Sequence, residues 1–296
     1  MVVAILILAT ACERALLPVN TPVIHQEIKN ESGQLILVGH HPISVLREPN
    51  YTSWFTNSYN AYTVDSTTAI ACKANLQNKS MTIFLGSWCG DSKREVPRML
   101  KILETAGMDT NLVSLVFVDN STNSYKQSPQ HEEQNRNIHH VPTFIIFDGN
   151  KEMGRIIESP VTSLEKDMQA ILTHQPYTPN YKAISYWITK VTNRKSSLSG
   201  KELQNLAGII KPLCRHYGEF NAYGYVQLAA NHNKEALNVF RLNTLMYPDT
   251  PGVFDSLGEA FAKTGDKTAA ISAYEKVLQL NPGNENARKM LLDLKK

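Results

Sequence analysis

In the segment Gly86-Ser87-Trp88-Cys89-Gly90-Asp91-Ser92, the residue types are ones that do covalent chemistry. Cys89 is a nucleophile only as its thiolate, and a thiol with pKa about 8.5 is only a few per cent ionised at pH 7. The apolar run at residues 81–85 ends at Gly86 and reads as a buried strand, and Val96, Leu100, Ile102 and Leu103 follow at helical spacing. Cys89 therefore falls at a strand-to-helix junction. Unpaired backbone N–H groups and the positive end of a helix dipole favour an anion there. Lys93 and Arg94 add positive charge and Asp91 opposes it, so a moderately lowered thiol pKa is expected. The competing expectation is an inert, buried cysteine.

A thiolate that attacks a disulfide leaves a mixed disulfide with its target. Ser92 stands where a two-cysteine site would carry the resolving thiol. A hydroxyl is too weak a nucleophile for that step, and its expected part is a hydrogen bond to the sulfur. Release then needs the target's own second cysteine, a small thiol or a partner protein. Cys72 and Cys214 both read as small buried hydrophobes, with Cys72 the better resolving candidate. Trp88 is expected to supply an apolar rim. His139 and His140 precede Val141-Pro142; an imidazole there would stabilise a thiolate or protonate a leaving sulfur, with His140 favoured, unless the pair is merely exposed. No Cys-x-x-Cys or His-x-x-x-His spacing supports a zinc site, and no metal or cofactor is expected.

The elements that must position these groups read as follows. Residues 35–38 form a short strand, and 42–62 a helix with Leu46, Trp54, Phe55 and Tyr59 as burial candidates. Residues 112–118 and 143–147 are further apolar strands, Asp148-Gly149 is a hairpin turn signal, 152–158 return, and 164–172 close with a helix. This order suits an α/β sandwich. Beyond a boundary at 173–180, marked by Pro176 and Pro179, residues 181–296 are helical by period. Polar breaks fall near 192–201, 231–234, 248–252 and 264–267.

Residues 34–175 resemble the thioredoxin superfamily. The likeness rests on a strand, Trp88-Cys89-x-x-Ser92, a helix with Pro97 eight residues after Cys89, and Val141-Pro142-Thr143 before a strand and a glycine turn. It extends to exported bacterial thioredoxin-like proteins with a Trp-Cys-x-Asp-Ser motif. The resemblance implies a thioredoxin-like sandwich with Cys89 as nucleophile. It also implies a cis Pro142 packed against the sulfur, and Val141, Pro142 and Thr143 shaping a substrate groove. Cysteine-containing proteins or low-molecular-weight thiols would be its targets. Ile83 departs from the pattern, because many members bury a proton-moving aspartate there.

A second likeness lies in the helical part. Phe220/Phe254, Gly224/Gly258, Ala236/Ala270, Phe240/Tyr274 and Pro248/Pro282 align at an offset of 34 residues. This resembles the tetratricopeptide repeat, with copies at about 217–250 and 251–284 and a capping helix at 285–296. Two copies are short of a stable array, so the helices of 181–216 are expected to complete its core. Such repeats commonly bind peptides on a concave face; packing of the short array on the first domain is the equal alternative.

The chain has 296 residues, 42% hydrophobic and 19% charged, with a formal net charge of +3. Length and composition favour two globular domains. The small charge and the lack of a Lys/Arg run exclude a nucleic-acid partner. Residues 1–12, MVVAILILATAC, are too short to span a bilayer but suit an export signal. They resemble a bacterial lipobox with Cys12 as the lipidated residue, and residues 13–33 then form a linker; the competing expectation is a plain cleaved signal or an anchored N-terminus. The expected location is the periplasm or cell envelope, anchored to the membrane by lipid at Cys12. The Asn-x-Ser/Thr sequons at Asn30, Asn50, Asn78 and Asn120 matter only in a eukaryotic secretory route. Two functions remain in play: an extracytoplasmic monothiol exchange protein, and a non-catalytic adaptor that uses the first domain as scaffold and the repeats for binding.

Overall fold

The structure, a computed structural model, describes residues 26–192 and 198–296. The export signal at 1–12, Cys12 and the linker up to residue 25 lie outside the described residues. Six strands, β1 (Gln26–Lys29), β2 (Leu35–His41), β3 (Lys79–Leu85), β4 (Val113–Phe117), β5 (Thr143–Asp148) and β6 (Lys151–Ile157), form one sheet in the order β1-β2-β4-β3-β5-β6. The central β3–β4 pair is parallel and every other pair antiparallel. The linker reading fails at its end. Gln26–Lys29 pairs with β2 through a turn in which Gly33 has φ +79° and the Asn30 side chain accepts the Ser32 and Gln34 N–H groups. Two-residue alternation in Gln-Glu-Ile-Lys is too short to register as a strand in sequence.

Because side chains alternate along a strand, the apolar runs of β3, β4 and β5 cover both faces of the sheet. Met81, Ile83, Leu85, Leu115, Phe117, Phe144 and Ile146 point to one core, and Phe84, Val116, Ile145 and Phe147 to the other. Four helices, α1 (Pro49–Ala61), α2 (Ser66–Ala71), α3 (Gly90–Thr105) and α4 (Leu164–Leu172), supply the first core. The single helix expected over 42–62 is broken into a 3-10 turn at Ile43–Arg47 and α1. Pro49 lacks an amide hydrogen and holds Glu48 extended at φ −68°, ψ 154°. Residues 118–142 have neither helix nor strand, and Ile138 and Val141 from this stretch cover the second face together with Trp88.

The rest of the described chain is helical: α5 (Lys182–Lys190), α6 (Gly200–Ile210), α7 (Gly218–Ala229), α8 (Asn233–Met246), α9 (Pro251–Lys263), α10 (Lys267–Leu280) and α11 (Glu285–Leu294). One contact recurs along it. A Cβ on Gly224 would sit 2.6 Å from the Phe240 ring, and one on Gly258 would sit 3.0 Å from the Tyr274 ring. Glycine thus lets an aromatic of the following helix approach the backbone in both pairs. Trp187, Leu203 and Ile210 of α5 and α6 share a core with Phe220 and Tyr223 of α7. Ile157, at the end of β6, belongs to the same core, so sheet and helices are packed together. Among the described residues, no helix is long and apolar enough to cross a membrane.

Candidate active site

Cys89 is the N-cap of α3, at φ −88° and ψ 126°. It has this place because β3 runs into Gly86 and the chain then turns: the Cys89 N–H bonds to the Gly86 carbonyl at 3.0 Å, and its own carbonyl takes the Lys93 N–H at 3.0 Å. Its sulfur is half-buried and packs against the second core beside Trp88. Sγ donates to the Val141 carbonyl at 3.3 Å. The Val141–Pro142 bond is cis. A strand-to-helix turn and a distant loop therefore meet at one sulfur.

Trp88 is pinned by its indole Nε1–H, which donates to the Val118 carbonyl at 2.8 Å. Its ring lies over Gly86, where an added Cβ would fall 2.5 Å from the indole. Ser92 is fully buried, and its Oγ accepts the Gly86 N–H at 3.2 Å. The expected bond from this hydroxyl to sulfur is replaced by one that ties the first turn of α3 to the end of β3. Arg94 pairs with Asp91 at 2.7 Å and with Glu95 at 2.6 Å. The helix charges weighed against each other in sequence thus largely neutralise one another.

Val141, Pro142 and Thr143, expected to shape a substrate groove, are all three buried. Thr143 Oγ1 donates to the His140 carbonyl at 2.7 Å, and the Pro142 carbonyl accepts the Glu158 N–H at 2.6 Å. Thr143 therefore braces the loop instead of facing a groove.

His139 and His140 are not exposed: they are 3% and 8% accessible. Their Nδ1 atoms lie 2.7 Å apart, so one ring donates to the other. His140 stacks on Tyr181, with ring centroids 3.9 Å apart, and His139 meets Tyr181 and Tyr223 edge-on. Burial first, then the nearby charge of Lys126, holds both imidazoles well below their ordinary pKa. A neutral imidazole engaged by the helical part does not supply the acid expected of His140.

Neither remaining cysteine in the described chain is placed to resolve Cys89. Cys72 is completely buried at the end of α2, in the core on the other face of the sheet, and burial raises its pKa. Cys214 lies in the helical part, where burial pushes its thiol up to about 11. Among the described residues there is no disulfide, and no cluster of three or more His, Cys, Asp or Glu suited to a metal ion.

Sequence reasoning missed Lys126. Its side chain is buried, with Nζ donating to the His139 carbonyl at 2.5 Å and lying 4.8 Å from the centre of the Tyr125 ring. Burial lowers its pKa to about 8, against the opposing pull of the Cys89 and Glu158 charges. Tyr125 in turn meets Tyr225 of α7 edge-on. Nothing in Asn-Ser-Tyr-Lys-Gln marks this lysine, because a single cation in a polar stretch has no periodic signature. No family model matches the chain, and no curated protein is significantly similar to it.

Proposed function

We propose that this chain is a monothiol thiol–disulfide exchange protein, built on a thioredoxin-like sandwich that carries a tetratricopeptide-type helical array. The observation that carries the reading is the Cys89 sulfur: half-buried, on the N-cap residue of α3, with its S–H donating to the carbonyl before the cis Pro142. Backbone N–H groups and the helix dipole at that position favour an anion. The six-stranded mixed sheet is compatible with the sandwich. The repeated glycine–aromatic contact at Gly224/Phe240 and Gly258/Tyr274 supports the array.

The reaction follows from having one sulfur. The Cys89 thiolate attacks a disulfide, one S–S bond breaks as another forms, and an external thiol discharges the product. Burial of residues 141–143 favours low-molecular-weight disulfides and single protruding cysteines over an extended strand laid along the loop. Export and lipid attachment through Cys12 belong to the same proposal, and would place the site outside the cytoplasm. The adaptor reading draws on the apolar side chains left exposed on the helical part, Ile209, Leu213, Tyr217 and Leu245.

Glutathione disulfide separates the two readings. Intact-mass spectrometry of the native chain should show one glutathionyl group on Cys89 and none on the Cys89→Ala chain. An unmodified native chain favours the adaptor.

A further inference from the structure

We propose that Lys126 is the proton partner of Cys89: its ammonium faces the thiolate before exchange and protonates the thiolate that leaves. The proposal rests on the exchange reading above.

Lys126 Nζ donates to the His139 carbonyl, and the Cys89 thiol, while it keeps its proton, donates to the Val141 carbonyl two residues along the same segment, which places both side chains beside that segment. The stretch that carries Lys126 is fixed from the other side as well. The Lys126 N–H bonds to the Asp119 carbonyl at 2.8 Å, and the Val118 carbonyl just before it holds the indole of Trp88, the neighbour of Cys89. Both ends of this stretch are therefore tied to the sulfur's surroundings.

A buried ammonium is costly unless something negative faces it. The groups around Lys126 are the Tyr125 ring, the neutral His139 and His140, Glu158 beyond β6, and Cys89. Glu158 already accepts the Tyr181 hydroxyl. Arg94, on the helix of Cys89, is committed to Asp91 and Glu95. The thiolate is thus the anion whose presence changes during the reaction.

That change gives the lysine its timing. While Cys89 is anionic, its charge keeps Lys126 protonated. Attack on R–S–S–R′ forms the Cys89–S–S–R bond and expels R′S⁻, so the charge beside Lys126 disappears. The ammonium, no longer supported, releases its proton to give R′SH and a neutral amine. An incoming thiol R″SH then returns a proton to the amine, attacks sulfur R, and restores the Cys89 thiolate against the ammonium. The sum is R–S–S–R′ + R″SH → R–S–S–R″ + R′SH, with no net oxidation.

Two measurements on the full chain test this. The first is the pH dependence of Cys89 alkylation by iodoacetamide in the native chain, Lys126→Met and Lys126→Arg. Lys126→Met should move the midpoint up by about one pH unit, slowing alkylation at pH 7 about tenfold, while Lys126→Arg keeps most of the native profile. Coincident native and Lys126→Met profiles overturn the proposal. The second needs no variant. In a nuclear magnetic resonance titration, the Lys126 side chain should deprotonate at lower pH once Cys89 carries a neutral methylthio cap, and an unmoved titration also overturns it. A shifted profile without a glutathione adduct would sink the exchange reading itself. An adduct with unshifted profiles would remove only the lysine.

Discussion

Ser92 takes the Gly86 N–H at 3.2 Å and is fully buried, so the residue in the resolving position is committed to joining β3 to α3. A thiol placed there would share the first helical turn with Cys89, three residues away on the same face. Ser92→Cys should convert a lasting mixed disulfide into a short-lived one, cutting the lifetime of the glutathione adduct at least about tenfold as an internal bridge forms. Intact-mass time courses read this directly, and an unchanged lifetime would contradict it. The motif itself was legible because its residues are contiguous. Lys126 and the true environment of His140 were not, because each is set by a segment distant in sequence: the His139 carbonyl for one, the Tyr181 ring for the other.

At the level of elements, sequence legibility followed the length of the apolar run and the residue that ends it. The strand ending at Gly86, the Asp148-Gly149 hairpin and the helix at Leu164–Leu172 were readable for that reason. The six-residue α2 is shorter than two helical turns, and it is held instead by the Asp65 cap, whose side chain accepts the Thr68 N–H. The helical part shows a different balance. Replacing glycine by alanine inside a helix ordinarily gains up to about 1 kcal/mol. At Gly224 the new methyl would meet the fully buried Phe240 at 2.6 Å, and overpacking of this kind costs about 1–3 kcal/mol. Gly224→Ala should therefore lower the urea midpoint. Gly258→Ala, with 3.0 Å to Tyr274, should lower it less. A stabilised Gly224→Ala chain would show that Phe240 can move aside.

For the whole molecule, the junction between sheet and helices runs through the loop that carries His139 and His140. Tyr181 stacks on His140, its hydroxyl donates to Glu158, and Arg215 lies 4.8 Å over its ring. Two buried neutral histidines at this junction make it sensitive to acid. Their folded-state pKa values lie well below the ordinary 6.5, so the unfolded chain binds more protons as pH falls. Their stabilising contribution is complete above pH 6.5 and is lost below it, at up to about 1.4 kcal/mol per histidine per pH unit. The thermal midpoint should fall between pH 7.5 and 5.5, and His140→Phe should flatten that fall; equal slopes would contradict the account. The central claim is that one sulfur captures a disulfide and depends on an external thiol for release. Its most direct test is the fate of the Cys89–glutathione adduct after excess disulfide is removed. The expected adduct persists until reduced glutathione is added and then discharges. An adduct that never forms, or that collapses unaided into a bridge with Cys72 or Cys214, would contradict it.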